Sequence, residues 1–259
     1  MGSKVCSHVL NSIYAFLGLA LTATAIWFFV EVKEVTNLRN SNHYLLDYNL
    51  YWPQVIPWLF IIVGLLVLGV SGCGFSGATK KSKGLLRVHV TFVSITILVS
   101  LAVAVIALVF ADSKSSDNFI KDTIWDAFYQ MKEHHEVEES FGRIERRMQC
   151  CGAESPRDYV NWKNDFPNSC CDVFYHGWLE PYSINCEITN KLANERHGCA
   201  AVAAQYSRIV IKVLSGVSIF IAFISIIILV VSIKMLRSIL RRPRVIQAQQ
   251  ESESKKGLI

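Results

Sequence analysis

The chain has 259 residues, of which 52% are hydrophobic and 18% are charged. Ordinary globular proteins carry about 25% charged residues, and the apolar residues here are grouped into long blocks. This composition excludes one or two ordinary water-soluble domains. The net charge of +5 comes from basic residues in separate segments, so it does not indicate nucleic-acid binding.

Four apolar segments are long enough to cross a bilayer, which requires roughly 20 residues. They predict transmembrane helices over residues 10–30, 55–75, 88–110 and 213–233. The sequence therefore indicates a multi-pass membrane protein. The remaining chain forms an N-terminal segment, a small loop, a short loop, a large loop and a tail, over residues 1–9, 31–54, 76–87, 111–212 and 234–259.

The distribution of charge predicts the orientation. Residues 1–9, 76–87 and 234–259 together carry twelve basic and two acidic residues, whereas residues 111–208 carry eleven basic and sixteen acidic residues. Short segments rich in Lys and Arg stay in the cytosol. We therefore expect both termini to be cytosolic and the two loops over residues 31–54 and 111–212 to be extracellular.

Small and polar residues mark the faces by which the first two spans are expected to pack. Gly18 lies on such a face in the first span and Gly64 in the second, and small residues let helices approach closely in lipid. Asn11 is expected to make a hydrogen bond inside the bundle. Cys6 and Cys73 lie at cytosolic span ends, where they are either candidates for S-palmitoylation or small packing residues.

A helical period continues through the large loop. One predicted outer helix carries Ile120, Ile124, Ala127 or Phe128, and Met131 on one face, and a second carries Val137, Phe141, Ile144 and Met148. Gly152 is expected to stop the second helix. The period continues into the last span through Cys199, Val202 or Ala203, Tyr206, Ile209 or Val210, and Val213. The charged residues of the second helix are expected to form a solvated face: Glu138, Glu139, Glu145, Arg146 and Arg147.

Six of the eight cysteines fall between residues 150 and 199. Two of the pairs are vicinal, and neighbouring Cα atoms are about 3.8 Å apart, closer than an ordinary disulfide permits. Six cysteines can pair in 15 ways, and excluding the vicinal bonds still leaves several pairings open. On the oxidising side of a membrane these residues predict disulfides and not a zinc site, because zinc ligands favour separated spacings.

The motifs of the large loop resemble those of the tetraspanin family. They are Cys-Cys-Gly at residues 150–152, Pro-Asn-Ser-Cys-Cys at residues 167–171 and Gly-Cys at residues 198–199. Four spans, a small first loop and Asn11 in the first span agree with that family. The resemblance implies an all-α membrane protein: a four-transmembrane-helix bundle with a disulfide-stapled, mainly helical large extracellular loop.

The resemblance also implies one disulfide pairing: Cys150–Cys199, Cys151–Cys170 and Cys171–Cys186. Two departures from the family pattern are visible in the sequence. Asp158-Tyr159 stands where many tetraspanins have Asp-Trp, and the last two spans lack the acidic or amide residue often found there. The second departure leaves open how the spans are held together.

Four aromatic residues crowd into the segment between the last two motifs: Phe174, Tyr175, Trp178 and Tyr182. Aromatic residues dominate the energetics of protein interfaces, so this cluster is a candidate partner surface. The alternative is that these side chains fill the core of the loop domain.

Three classes of function can be compared with the sequence. Resemblance to tetraspanins implies a membrane organiser that binds other integral membrane proteins laterally, further tetraspanins among them, and contacts membrane lipid, sterol included. A transporter or channel is disfavoured because the middles of the four spans lack ionisable residues. No catalytic spacing of Cys and His is present, so neither an enzyme, a cofactor nor a metal is predicted. The plasma membrane is the favoured location, with endosomal or lysosomal membranes as the alternative.

Overall fold

The computed structural model of the chain describes residues 2–38, 52–80, 83–160, 163–171 and 186–256. Side chains are described except at residues 2–6, 37, 52–54, 78 and 241–256. The chain forms two compact units. The bundle unit comprises Met1–Ile26, Pro57–Ala107 and Val213–Ile259, and the loop unit comprises Trp27–Ile56 and Leu108–Lys212.

Each of the four predicted spans lies in a long helix. These helices are α1 (Gly2–Asn37), α2 (Trp52–Lys80), α3 (Lys83–Ala111) and α8 (Cys199–Lys256). All four contain a stretch long and apolar enough to cross a membrane. The helices continue well past the predicted span ends. The helical spacing of apolar residues persists beyond each span, although the flanking sequence is less hydrophobic. At the start of α8 Cys199 and Ala203 are buried, as the predicted face has them, whereas Val213 is exposed and Ile211 is buried, so the prediction is wrong at Val213.

Helices α1 and α2 approach closely at two glycines. A methyl group on Gly64 would overlap the Thr22 hydroxyl and lie 2.9 Å from the Gly18 carbonyl oxygen. A methyl group on Gly18 would lie 2.7 Å from Cγ1 of Val67 and 3.1 Å from the Gly64 carbonyl oxygen. The two glycines therefore face each other, and neither position has room for a side chain.

Asn11 is buried in the bundle unit, but among the described residues its side-chain amide bonds only within its own helix. The amide nitrogen donates to the Ser7 carbonyl of the same helix at 2.9 Å. The bond between helices is made by Ser71, whose hydroxyl donates to the backbone carbonyl of Asn11 at 2.7 Å. Asn11 thus takes part in helix contact through its main chain, a role that its residue type does not reveal.

Hydroxyl groups join α8 to the other spans. The Tyr14 hydroxyl donates to Ser225 Oγ at 2.8 Å, because Ser225 itself donates to the Ile221 carbonyl. Ser218 donates to the Ser100 carbonyl of α3 at 3.0 Å. Hydrogen bonds between spans are typically worth about 0.6 kcal/mol each, with a maximum near 1.7 kcal/mol. Hydroxyl groups thus make hydrogen bonds between these spans, whose last two lack an acidic or amide residue.

The loop unit contains the remaining helices. They are α4 (Lys114–Gln130), α5 (His135–Met148), a 3₁₀ turn (Pro156–Tyr159), α6 (Asn168–Cys171) and α7 (Lys191–Asn194). Ser113 caps α4 by accepting from the amide of Ser116 at 3.2 Å. The rings of Phe141 and Tyr159 pack on Phe128, with centroids 5.8 and 5.2 Å away. The apolar faces predicted for α4 and α5 form this core, with Val137 and Met148 half-buried.

Helix α5 ends earlier than predicted. Its last residue is Met148, and Gln149 closes it with φ 53°, in the left-handed region. The cap amide of Gln149 donates to the Glu145 carbonyl. Gly152 also has a positive φ of 72°, but it turns the chain after the two cysteines. A glycine is the usual residue for such a stop, and here a glutamine takes the position.

The close contact of α1 and α2 is tested by replacing glycines. Gly64→Ala should lower the free energy of unfolding by about 1–3 kcal/mol, because the added methyl must displace Thr22 or the Gly18 backbone. Gly69→Ala, on the same helix, is the matched control because nothing lies within 4 Å of its added methyl. Thermal unfolding in mild detergent measures both. A Gly64→Ala protein as stable as Gly69→Ala would contradict the close approach.

Candidate functional site

Three disulfides crosslink the loop unit. They join Cys150 to Cys199, Cys151 to Cys170 and Cys171 to Cys186, with Cα–Cα distances of 5.0, 5.1 and 5.6 Å. These are the pairs that the family resemblance implies, and the distances fall in the ordinary range for a disulfide. The two cysteines of each vicinal pair are bonded to different segments. Residues 150–151 are therefore linked to residues 170 and 199, and residues 170–171 to residues 151 and 186.

The segment after the first cysteine pair lies directly against the segment that precedes Cys199. The amide of Cys199 donates to the Gly152 carbonyl at 2.9 Å, and that of Cys151 donates to the His197 carbonyl at 3.0 Å. A methyl group on Gly198 would overlap the Glu154 carbonyl. The Gly-Cys motif is therefore required by backbone contact, because no side chain fits at residue 198.

A buried carboxyl group lies at the centre of the crosslinked region. Glu145 of α5 is fully buried. Its Oε1 accepts from the Gly152 amide at 2.9 Å and from the Tyr159 hydroxyl at 2.8 Å, and its Oε2 accepts from the Ser169 hydroxyl at 2.5 Å. Each donor comes from a different segment, so one side chain joins α5 to the Cys-Cys-Gly turn, the 3₁₀ turn and α6.

The expectation that Glu145 belongs to a solvated face is wrong. The buried residues of α5 are Phe141, Ile144 and Glu145. The buried face therefore includes one acidic residue beside the apolar ones. Helical positions at i and i+4 share a face, and Glu145 follows Phe141 by four residues. That spacing is the one signal in the sequence that could have indicated its burial.

Burial raises the pKa of Glu145 above its usual range, while hydrogen bonds from Ser169, Gly152 and Tyr159 and the positive charge of Arg196 oppose the shift. Removal from water disfavours the charged form, and this effect is the largest. The pKa of Tyr159 is also raised, first by burial and then by the neighbouring Glu145 charge. Tyr159 therefore remains protonated and able to donate.

Two sets of local hydrogen bonds position the donors around Glu145. Asp158 accepts from the amides of Glu154 and Ser155 at 2.7 and 3.1 Å, and this holds the 3₁₀ turn that carries Tyr159. Arg196 donates to the Ser169 carbonyl at 2.7 Å, next to the second cysteine pair. The tyrosine that replaces the family's tryptophan is thus a hydrogen-bond donor to the buried acid.

The ligand atoms of Glu145, Cys151 and Cys170 lie within 4.8 Å of one another, as the ligands of a metal ion would. The two cysteines are bonded to each other, however. A metal ligand must be a thiolate, and neither sulfur has that form while the disulfide is intact. The cluster is therefore a structural contact between a carboxyl group and a disulfide.

The other predicted site residues fall in several places. Asn11, Gly18 and Gly64 lie inside the bundle unit, and Cys73 of α2 is half-buried with a free thiol. Cys6 lies on α1, with its side chain outside the described part. The four aromatic residues of the candidate partner surface, Phe174, Tyr175, Trp178 and Tyr182, lie outside the described residues.

Comparison with known proteins agrees with this architecture. A profile of the tetraspanin family matches residues 3–238. The chain belongs to the tetraspanin family.

Similar tetraspanins include the 23 kDa integral membrane protein of Schistosoma japonicum, 28% identical over 70% of this chain and 76% of the relative. The CD63 antigen of Bos taurus is 29% identical over 71% of this chain and 76% of its own. The CD151 antigen of Chlorocebus aethiops is 23% identical over 64% of this chain and 66% of its own.

Membership of the family decides the general class of function. Tetraspanins are membrane organisers without enzymatic activity that associate with other membrane proteins, further tetraspanins included. This tetraspanin is accordingly an integral, multi-pass membrane protein and not an enzyme.

The role of Glu145 predicts a specific dependence of stability on pH. Because its pKa is raised on folding, the folded state holds a proton that the unfolded state releases above about pH 4.3. The free energy of unfolding should therefore fall as pH rises from about 4.3 to the raised pKa of the folded state, by at most about 1.4 kcal/mol per pH unit. Glu145→Gln, which can still accept from Gly152 and Tyr159, should remove this component and gain stability relative to wild type towards neutral pH.

Denaturation of the purified chain at several pH values measures this difference. Glu139→Gln is the matched control, because Glu139 lies on the same helix with its side chain 70% exposed. The control should follow the wild-type pH profile. Parallel profiles for wild type and Glu145→Gln would show that the carboxyl group does not titrate differently in the folded state.

Proposed function

We propose that this tetraspanin binds other integral membrane proteins laterally and so controls their clustering, trafficking or stability. The observation that carries the proposal is the way in which residues 172–185 are attached to the loop unit. Their flanking residues, Cys171 and Cys186, are joined with a Cα–Cα distance of 5.6 Å. The amide of Phe166 also donates to the Cys186 carbonyl at 2.9 Å. The segment that holds four aromatic residues is thus closed at its base.

A closed base favours recognition for an energetic reason. Ordering a free segment on binding costs conformational entropy, and constraining its ends reduces that cost. Aromatic side chains supply large contact areas with few rotatable bonds. We therefore propose that Phe174, Tyr175, Trp178 and Tyr182 form the partner surface of the large loop.

The orientation of the chain is also part of the proposal. The excess of basic residues in residues 1–9, 76–87 and 234–259 supports cytosolic termini and an extracellular large loop, which extends over residues 111–212. Cys6 and Cys73 would then face the compartment in which S-palmitoylation takes place. The plasma membrane is the proposed location, with endosomal or lysosomal membranes as the alternative.

Membrane lipid is a proposed partner as well, sterol included, on the strength of the family. Arg241, Arg242 and Arg244 follow the last span and would face the cytosolic leaflet. Basic residues near anionic lipid contribute about 1 kcal/mol each.

The proposal is tested by replacing the four aromatic residues together with serine in the full chain and identifying the membrane proteins that co-purify in mild detergent. The partner set seen with wild type should be lost. The matched control replaces Val160 and Leu192, two exposed apolar residues of the loop unit, with serine, and it should keep the set. Both variants must retain their disulfides on non-reducing analysis. A partner set unchanged by the fourfold replacement would refute the proposed surface.

A further inference from the structure

Two buried polar atoms that lack a hydrogen bond lie close together in the bundle unit. Asn11 of α1 is 2% exposed and His89 of α3 is 1% exposed. The Oδ1 atom of Asn11 and the Nε2 atom of His89 have no hydrogen-bond partner among the described residues. Most buried polar atoms in proteins are bonded either to the protein or to ordered water, so these two atoms indicate a bound group.

The contacts of Gly74, on α2, show how near the two side chains are to each other. A methyl group added to Gly74 would lie 2.4 Å from Asn11 Oδ1 and 2.7 Å from His89 Cε1. Both atoms are therefore close to one point, and they lie within about 5 Å of each other. Because Nε2 is bonded to Cε1 in the imidazole ring, the two unpartnered atoms share one small region between α1, α2 and α3.

Both unpartnered atoms are hydrogen-bond acceptors, and neighbouring groups fix their orientation. The Nδ1 atom of His89 lies 3.1 Å from the Val70 carbonyl oxygen, which can only accept, so Nδ1 carries the proton. The Nε2 atom of the neutral ring then has a lone pair. The amide nitrogen of Asn11 donates to the Ser7 carbonyl at 2.9 Å, which leaves Oδ1 beside Gly74. Two acceptors cannot bond to each other, so the pair requires a separate donor.

We propose that one water molecule binds at this point and donates one hydrogen to Asn11 Oδ1 and the other to His89 Nε2. Water is the smallest molecule with two donor hydrogens. Its two bonds, each about 2.9 Å long, can join acceptors that are up to about 5–6 Å apart. Buried waters normally bond to polar groups that the protein itself leaves unsatisfied. This water links α1 to α3 next to the Gly74 backbone.

Two other occupants agree less well with the surroundings. Structural metal sites usually have four protein ligands, and the described residues contain one group of three His, Cys or acidic ligands, which lies at Glu145. A second proton on His89 would allow Nε2 to donate directly to Asn11. It would also place a positive charge in a buried ring whose nitrogens have no carboxylate partner among the described residues, and an unpaired buried charge is costly.

Solid-state NMR of the full chain in lipid bilayers, with ¹³C- and ¹⁵N-labelled histidine, tests the site. The signals of His89 are identified among the seven histidines as those that His89→Gln removes. We expect a protonated Nδ1 and an unprotonated, hydrogen-bonded Nε2. We also expect fast transfer of magnetisation from water protons to the His89 ring, although the ring is buried.

Two substitutions should abolish the transfer from water to the His89 ring. Asn11→Leu removes one of the two acceptors and leaves a side chain of similar size. Gly74→Ala adds a methyl group that must displace Asn11 or His89. Gly72→Ala, on the same helix, is the matched control because nothing lies within 4 Å of its added methyl, and it should keep the wild-type transfer.

The proposal is overturned by any of three results. The first is that the transfer to the His89 ring is as slow in wild type as in Asn11→Leu. The second is that both ring nitrogens of His89 are protonated, which would indicate a direct bond to Asn11, or that dialysis against a chelator shifts the Nε2 signal, which would indicate a metal ion. The third is that Asn11→Leu and Gly74→Ala both keep the wild-type transfer, because water would then reach the ring by another route.

Discussion

The carboxyl group of Glu145 is the contact on which the loop unit depends. It accepts hydrogen bonds from the Cys-Cys-Gly turn, the 3₁₀ turn and α6, and it lies beside the Cys151–Cys170 disulfide. A buried polar group that lacks its hydrogen bonds is costly, so these three segments must be in place together. The disulfides hold these segments together, and each stabilises the folded state by roughly 2–4 kcal/mol because it constrains the unfolded chain. Covalent and polar contacts thus stabilise the same small region.

The bundle unit is held together in a different way. Lipid provides little hydrophobic drive for helices to associate, so close packing and hydrogen bonds must do so. Gly18 and Gly64 allow α1 and α2 to touch at their backbones, and hydroxyls of Tyr14, Ser71 and Ser218 reach across to neighbouring spans. These three hydroxyls carry no charge.

The fold was predictable from the sequence where one physical requirement dominates. A bilayer requires contiguous apolar residues, so the four membrane helices could be located. The burial of Glu145 could not, because its donors lie far along the chain and are brought near by disulfides and turns. Likewise, nothing in the sequence shows whether the Asn11 amide turns to its own helix or to a neighbour.

The central claim is that three disulfides enclose the buried Glu145 and define the large loop. Peptide mapping of the unreduced protein, alkylated during purification from membranes, tests it most directly. The account predicts crosslinked peptides for Cys150–Cys199, Cys151–Cys170 and Cys171–Cys186, with no alkylation at these six positions. Cys150 crosslinked to any other cysteine, or any of the six recovered as an alkylated thiol in the folded protein, would contradict it.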